Sequence, residues 1–199
     1  MKVYGDLLSG NCYKVKLLLE FLDIQHEWLY INVLKAESHT PEFLQMNPNG
    51  KIPVLVLDDE RILTESNAIL GYLAEETEFV PTDRYAKAKM YEWMFFEQYS
   101  HEPFIAVARF INKYLGLPEA RIEEYHALQP KGHKALAIME QALGRHDYLV
   151  ENELTLADIS LYAYTHVADE GGFDLSLYPN IQAWCQRIQN YPAYRGMAA

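Results

Sequence analysis

The sequence predicts an α/β domain followed by an all-α domain, and two observations support this division. Strand and helix signals alternate up to residue 76, whereas strand signals disappear after the segment 76–83, which contains Pro81. Half of the 199 residues are hydrophobic, and a chain of this length forms one large or two small domains. We therefore expect an N-terminal domain over residues 1–76 and a C-terminal domain over residues 84–199.

The first domain should contain four strands and three helices. Branched and aromatic residues predict the strands, and apolar residues at helical spacing predict the helices. The first helix should bury one face, which carries Val15, Leu18, Leu19 and Leu22. The predicted elements, in the order βαβ-α-ββα, are Lys2–Tyr4, Asn11–Leu22, Glu27–Asn32, Thr40–Met46, Val54–Leu57, Arg61–Thr64 and Ser66–Glu75. This order is that of a thioredoxin-like domain.

The second domain should be helical throughout. A break at residues 116–118 separates two long helical patterns, and two shorter ones follow. The predicted helices are Arg84–Leu115, Pro118–Arg145, Thr155–Ala168 and Asn180–Tyr191. The residues from Thr155 to Asp158 have the spacing of a capping box, which predicts a structural helix start at that point.

Composition and charge exclude several classes of function. The net charge of −11 disfavours nucleic acid as a partner. No apolar run approaches the roughly 20 residues that a membrane span needs, and the N-terminus shows no signal-peptide pattern. Cys12 and Cys185 lie far apart and have no metal-ligand spacing, so we expect no metal, no disulfide and a cytoplasmic location.

The segment Asn47–Val54 has the features of a receptor for an extended peptide. It reads Asn-Pro-Asn-Gly-Lys-Ile-Pro-Val, so that Pro53 stands at the mouth of a predicted strand. A proline there removes one donor from the strand ladder. With a cis bond before Pro53, the turn would expose the backbone of Ile52, which could pair with a peptide as a neighbouring strand does.

Two polar residues at the last predicted helix of this domain suit an α-amino acid. Ser66 should cap a helix whose N-terminal N–H groups attract a carboxylate. Glu65, directly before it, can accept hydrogen bonds from an ammonium group. One end of the site therefore suits an α-amino acid, and the middle suits a peptide.

These motifs, in this order, resemble those of the cytosolic glutathione transferases. The resemblance extends over nearly the whole chain, because the helix start at Thr155 is similar to a second motif of that family. It implies that Ile52 and Pro53, with a cis bond between them, pair with the cysteinyl part of glutathione. It also implies that Glu65 and Ser66 hold the γ-glutamyl part, and that glutathione is a co-substrate.

The loop after the first strand should supply groups that favour the glutathione thiolate, which is the nucleophilic form. Ser9 matches the hydroxyl residue that the family places five positions before a basic residue, here Lys14. Asn11 could be a second donor. The Ser-Gly-Asn sequence is similar to the Thr-x-Asn pattern of the bacterial nu class, whose members favour glutathione disulfide chemistry. Ser9 could alternatively be an ordinary helix cap.

Three other residues have competing interpretations. Cys12 could form a mixed disulfide, as the cysteine of beta- and omega-class relatives does, but their cysteine falls at the position of Ser9. We therefore expect Cys12 to lie in the first helical turn, without a catalytic role. Lys51 and His39 are the candidate cations for the far carboxylate of glutathione, and each could instead be a solvated surface residue.

The leading hypothesis is a glutathione transferase that acts on a hydrophobic electrophile. The alternatives are a glutathione-dependent disulfide reductase or peroxidase, and a non-catalytic glutathione-binding regulator. The helical domain should supply the second-substrate site, where His101 and Arg109 are candidates that could equally be structural. The resemblance also implies a homodimer, and several large apolar residues in the segment Arg84–Leu115 agree with it.

Overall fold

The computed structural model describes residues 1–197, which form two compact units. Residues 1–77 and the C-terminal residues 191–197 form the first unit, and residues 78–190 form the second. We expected the C-terminal residues in the helical domain. They instead pack with the first unit, where the Tyr13 hydroxyl donates to the Arg195 carbonyl at 2.8 Å. The rings of Phe21 and Tyr191 lie 4.6 Å apart there.

The first unit contains a four-stranded mixed sheet in the order β2-β1-β3-β4. Strand β1 pairs in parallel with β2, whereas β1 with β3 and β3 with β4 pair antiparallel. The strands are β1 (Lys2–Gly5), β2 (Glu27–Tyr30), β3 (Val54–Val56) and β4 (Ile62–Thr64). The α/β class predicted for this part of the chain is confirmed.

Three α-helices accompany this sheet, α1 (Gly10–Phe21), α2 (Pro41–Met46) and α3 (Ser66–Leu73). Helix α1 was expected to bury one face only, but all residues from Cys12 to Leu19 are buried. The reason is that α1 has neighbours on several sides. It packs against α3, it approaches β1 at Gly5, where an added Cβ atom would lie 2.6 Å from Cys12 Sγ, and it contacts the C-terminal residues.

The second unit is helical. Its α-helices are α4 (Arg84–Phe96), α5 (Glu102–Arg109), α6 (Ile122–Leu143), α7 (Leu156–Thr165) and α8 (Pro179–Gln189). Helix α5 packs on α6, α4 on α7, and α6 on α8. The long helix predicted over Arg84–Leu115 is present with two π-helical stretches, Glu97–His101 and Phe110–Tyr114. Among residues 1–197, no helix has the length and apolar composition of a membrane span.

The capping box predicted at the start of α7 is present. Thr155 accepts from the Ala157 N–H, and the buried carboxylate of Asp158 accepts from the Thr155 N–H at 2.9 Å. The same carboxylate also accepts from the Leu149 N–H and from Trp184 Nε1, both at 2.9 Å. One acidic side chain therefore joins the start of α7 to the preceding loop and to α8.

Candidate functional site

The register of the sheet brings three predicted site segments to one end of the strands. Tyr4 of β1 lies opposite Val54 of β3, which lies opposite Thr64 of β4. Beyond these paired residues, β1 leads into the loop before α1, Pro53 directly precedes β3, and Glu65 directly follows β4. The sequence-distant motifs of the N-terminal domain are therefore neighbours at one edge of the fold.

The peptide bond between Ile52 and Pro53 is cis, as expected from the sequence. Pro53 is buried and Ile52 is partly exposed. The loop before them is held by Asn47, whose side chain donates to the Lys51 carbonyl at 2.7 Å and accepts from the Asn49 N–H at 3.1 Å. Asn47 is 6% exposed, so the loop that presents Ile52 has a buried polar support.

Glu65 has a backbone conformation that is unusual for its residue type. Its φ and ψ angles are 65° and 112°, and it stands directly before α3 as the N-cap residue without a side-chain capping bond. A strained backbone of this kind at a residue with a Cβ atom costs on the order of 1–3 kcal/mol, and such residues cluster at functional sites. The Glu65 side chain is exposed and available to a ligand.

Ser66, the first residue of α3, contacts two side chains of α1. Its hydroxyl lies 3.2 Å from Asn11 Oδ1 and 3.3 Å from Lys14 Nζ. Lys14 Nζ also donates to Asn11 Oδ1 at 2.9 Å. Two of the predicted site residues, Asn11 and Ser66, are therefore in direct contact, and a buried lysine joins them.

Ser9 occupies the N-cap position of α1, but its side chain makes no capping hydrogen bond. It instead makes a side-chain hydrogen bond with Cys12. Cys12 is completely buried, and this burial raises the pKa of its thiol to about 12 although hydrogen bonds with Asp6 and Ser9 act in the opposite direction. Cys12 is therefore a thiol at neutral pH, which is the poorly nucleophilic form.

The two candidate cations lie in one region of the first unit. Gly50 has a φ of +65°, and an added Cβ atom there would lie only 3.0 Å from His39 Nε2. The imidazole therefore lies over Gly50, next to Lys51 in the chain. Both His39 and Lys51 are exposed, and His39 Nδ1 is 3.1 Å from the hydroxyl of Ser38.

Two residues of this region were not predicted from the sequence. Lys14 was considered only as a marker for Ser9, and Asn47 only as part of a turn. The sequence signal for each is a polar residue at a position that is expected to be buried. Lys14 lies within an apolar helix, and Asn47 begins the Asn-Pro-Asn-Gly turn. Burial of a polar side chain requires partners, and here the partners belong to the candidate site.

The two candidates from the second unit are internal. His101 is fully buried, and its Nε2 lies 2.9 Å from the Thr165 hydroxyl. Arg109 is 2% exposed and its Nε donates to Glu170 at 2.6 Å. Both side chains therefore have structural partners inside the helical unit. Over residues 1–197, no three His, Cys, Asp or Glu side chains converge as metal ligands.

Comparison with known proteins identifies the family. The model of the glutathione S-transferase N-terminal domain matches residues 3–81, and the model of the C-terminal domain matches residues 86–192. Together the two models cover most of the chain. The chain belongs to the glutathione S-transferase family.

Individual relatives agree with this membership. A crystal structure of a glutathione S-transferase from Pseudomonas fluorescens Pf-5 is 56% identical, covers 100% of this chain and 98% of its own, and has a TM-score of 0.98. Glutathione S-transferase 3 of Zea mays is 32% identical in an alignment that covers 100% of this chain and 93% of the relative. The disulfide-bond oxidoreductase YfcG of Escherichia coli is 28% identical in an alignment that covers 93% of this chain and 88% of the relative.

Proposed function

We propose that this protein is a glutathione transferase that binds glutathione in its first unit and activates the thiol for conjugation. The observation that carries the proposal is the meeting of three segments at one end of the sheet: the start of α1, the Ile52–Pro53 turn and the start of α3. Together they offer a hydroxyl, an amide, a carboxylate and exposed peptide backbone within one small region. Membership of the glutathione S-transferase family supports this interpretation.

The γ-glutamyl and cysteinyl parts of glutathione fit the groups at Glu65, Ser66 and Ile52. The N-terminal N–H groups of α3 and the Ser66 hydroxyl suit the α-carboxylate, and the exposed carboxylate of Glu65 suits the ammonium group. The backbone of Ile52, presented by the cis bond to Pro53, suits the cysteinyl part, which would pair with it as an added strand.

The glycyl end of glutathione carries a second carboxylate and requires a cation. Lys51 and His39 are exposed and neighbour one another around Gly50. A net charge of −11 makes such local cations necessary for an anionic ligand. We assign both residues to this carboxylate.

The chemical step requires the glutathione thiolate. We assign Ser9 as the hydroxyl donor to the glutathione sulfur and Asn11 as a second polar group, in a loop of the nu-class type. The Ser9 hydroxyl would exchange its contact with Cys12 for one with the ligand. The thiolate then attacks an electrophilic carbon, forming a carbon–sulfur bond, while the leaving group departs with the electron pair of its bond and the thiol proton passes to solvent.

Disulfide reduction is the second candidate, and the similarity to YfcG of Escherichia coli, a disulfide-bond oxidoreductase, favours it. In that reaction the glutathione thiolate attacks one sulfur of a disulfide and releases the other as a thiolate. A second glutathione completes the exchange and forms glutathione disulfide. The same Ser9 and Asn11 groups would hold the attacking sulfur.

Steady-state rates with two substrate types separate these candidates. We expect conjugation of an aromatic halide electrophile, measured by its absorbance change, to exceed reduction of a small disulfide at equal glutathione concentration. A dominant disulfide reductase activity would favour the second candidate. Glutathione binding without either activity would contradict both and favour a non-catalytic regulator.

A further inference from the structure

Lys14 is a buried basic residue in direct contact with the site proposed above. Its side chain is 0% exposed although α1 begins only four residues earlier. Its Nζ donates to Asn11 Oδ1 at 2.9 Å and to the Ser66 hydroxyl oxygen at 3.3 Å. Burial of a lysine carries a desolvation cost that is tolerated when partners are present. The partners here are two residues assigned to glutathione.

The contacts around Ser66 fix the direction of its hydroxyl hydrogen. A serine hydroxyl has one hydrogen to donate and two lone pairs. Because Lys14 has only hydrogens to give, Ser66 must accept from it, and its own hydrogen then points to Asn11 Oδ1, 3.2 Å away. Because Lys14 donates to Asn11 Oδ1 as well as to Ser66, the Ser66 hydrogen can turn from Asn11 to a carboxylate without leaving that amide oxygen unpaired, and Lys14 keeps Ser66 from accepting a hydrogen bond in its place.

The charge of Lys14 acts at the same place. Its Nζ lies behind the first residue of α3, whose N-terminal N–H groups already favour an anion. A positive charge in a water-excluded position is screened less than one at the surface. The hydrogen-bond direction and the charge thus favour the same ligand group.

We propose that Lys14 is a positioning residue that makes the start of α3 selective for the α-carboxylate of the γ-glutamyl group. It acts through Ser66 and does not touch the ligand. This inference rests on the proposed function, because it assumes that glutathione is bound there. It extends the proposed function by assigning the preference for a carboxylate to a residue that does not contact the ligand.

Lys16 provides a matched control. It lies on the same helix two residues later, and it is likewise buried, with 8% of its surface exposed. The charged groups that influence its pKa are Glu20 and Arg195. Lys16→Met therefore removes a buried lysine from α1 without altering the contacts of Ser66 with Lys14 and Asn11.

The test compares two ligands by isothermal calorimetry, glutathione and 4-aminobutanoyl-cysteinylglycine. The second ligand keeps the ammonium group and lacks only the α-carboxylate. We expect Lys14→Met to reduce the preference for glutathione over the analogue about tenfold, which is the lower range for a charged hydrogen bond. Lys16→Met should leave this preference unchanged. Lys14→Gln, which is also uncharged, should reduce the preference in the same direction.

The outcomes distinguish this inference from the proposed function. If the unaltered protein prefers glutathione but a folded Lys14→Met or Lys14→Gln protein loses affinity for both ligands equally, Lys14 is only structural and the inference is wrong. If the unaltered protein binds neither ligand, the proposed function itself fails, and the inference with it.

A measurement on the unaltered protein covers the case in which neither neutral variant folds. The ¹⁵N NMR signal of Lys14 Nζ should shift when glutathione binds and shift much less when the analogue binds, with the Lys16 signal as the internal reference. Equal shifts of the Lys14 signal with both ligands would overturn the inference.

Discussion

At the residue scale, the roles of Ser9 and Cys12 can be separated by substitution. Ser9→Ala removes the proposed donor to the glutathione sulfur, and we expect kcat/KM to fall about tenfold. This is less than the loss for a shielded oxyanion donor, because a thiolate accepts weaker hydrogen bonds. Cys12→Ala should leave turnover nearly unchanged, since burial raises the pKa of this thiol to about 12. The pH–rate profiles of both variants provide the measurement.

The opposite pattern would change the assignment. Should Cys12→Ala abolish turnover while Ser9→Ala leaves it intact, the protein would be an oxidoreductase of the cysteine type. Retention of the Cys12→Ala fold, measured by its melting temperature, is the necessary control.

His166 should make folding stability depend on pH. Burial lowers the pKa of its imidazole to about 4, from an ordinary value of 6.5, and its Nδ1 donates to the Tyr162 carbonyl at 2.8 Å. Between pH 4 and pH 6.5, His166 therefore binds a proton in the unfolded chain but not in the folded chain. With respect to this residue, the free energy of unfolding is therefore highest above pH 6.5, and it decreases as the pH falls towards 4.

We expect His166 to reduce the free energy of unfolding by about 1–2 kcal/mol between pH 7 and pH 5. In urea unfolding at the two pH values, His166→Gln should reduce the pH dependence by that amount. The exposed His146, replaced in the same way, should leave it unchanged. Equal pH dependence in the His166→Gln and unaltered proteins would show that this residue does not carry the effect.

The candidate site was predictable from sequence in part, because its signals are local. A proline before a strand and a Glu-Ser pair before a helix can be recognised in a short window, and the cis bond at Pro53 is present as expected. The role of Lys14 could not be predicted, since its contact with Ser66 joins residues 52 positions apart. A contact of that kind depends on how two helices pack, which no short window contains.

At the scale of elements, the order of strands and helices follows from sequence periodicity, whereas the burial of a helix and the placement of the C-terminal residues follow from tertiary contacts. The strands and helices of the first 77 residues occur in the predicted order. The burial of α1 on several sides and the return of residues 191–197 to the first unit were not predicted. Both depend on neighbours that are distant in sequence, so that local hydrophobic patterns carry no information about them.

Helix α6 should be sensitive to an added methyl group at Gly132. A Cβ atom there would lie 2.3 Å from Cε1 of Phe173, which is fully buried. We expect Gly132→Ala to lower the free energy of unfolding by about 1–3 kcal/mol, as is typical of overpacked cores. At Gly71 of α3 an added Cβ atom meets nothing within 4 Å, so Gly71→Ala should be neutral or stabilising by up to about 1 kcal/mol.

Urea unfolding of the two variants provides the comparison. Because both variants replace a helical glycine with alanine, the difference between their free energies of unfolding separates the effect of packing from that of helix propensity. A Gly132→Ala protein as stable as the Gly71→Ala protein would contradict the packing of Phe173 against α6.

At the scale of the whole molecule, we propose that the protein is a homodimer. Large aromatic side chains are exposed along α4 and the π-helical stretch after it, and exposed apolar surface that is concentrated in one region often marks a protein interface. Their exposed fractions are 71% for Tyr85, 43% for Tyr91, 71% for Phe95 and 85% for Tyr99. Tyr91, Phe95 and Tyr99 follow one another at intervals of four residues, which brings them to one side of the helix.

Light scattering at micromolar concentration should give twice the chain mass of 23.1 kDa. The double variant Phe95→Glu and Tyr99→Glu should give a monomer, because two carboxylates in an apolar interface are strongly unfavourable. Leu177→Glu, at a position that is 63% exposed elsewhere in the second unit, should remain dimeric. A monomer mass for the unaltered protein would overturn the proposal.

The central claim is that glutathione binds at the start of α3, and titration calorimetry with glutathione tests it most directly. The unaltered protein should bind, and Ser66→Ala should bind more weakly by about 1.5–3 kcal/mol through the loss of a charge-assisted contact. Glu65→Ala should also bind more weakly, while Ser176→Ala, at an exposed serine of the second unit, should bind normally. If Ser66→Ala and Glu65→Ala retain the full affinity of the unaltered protein, glutathione does not bind at this site.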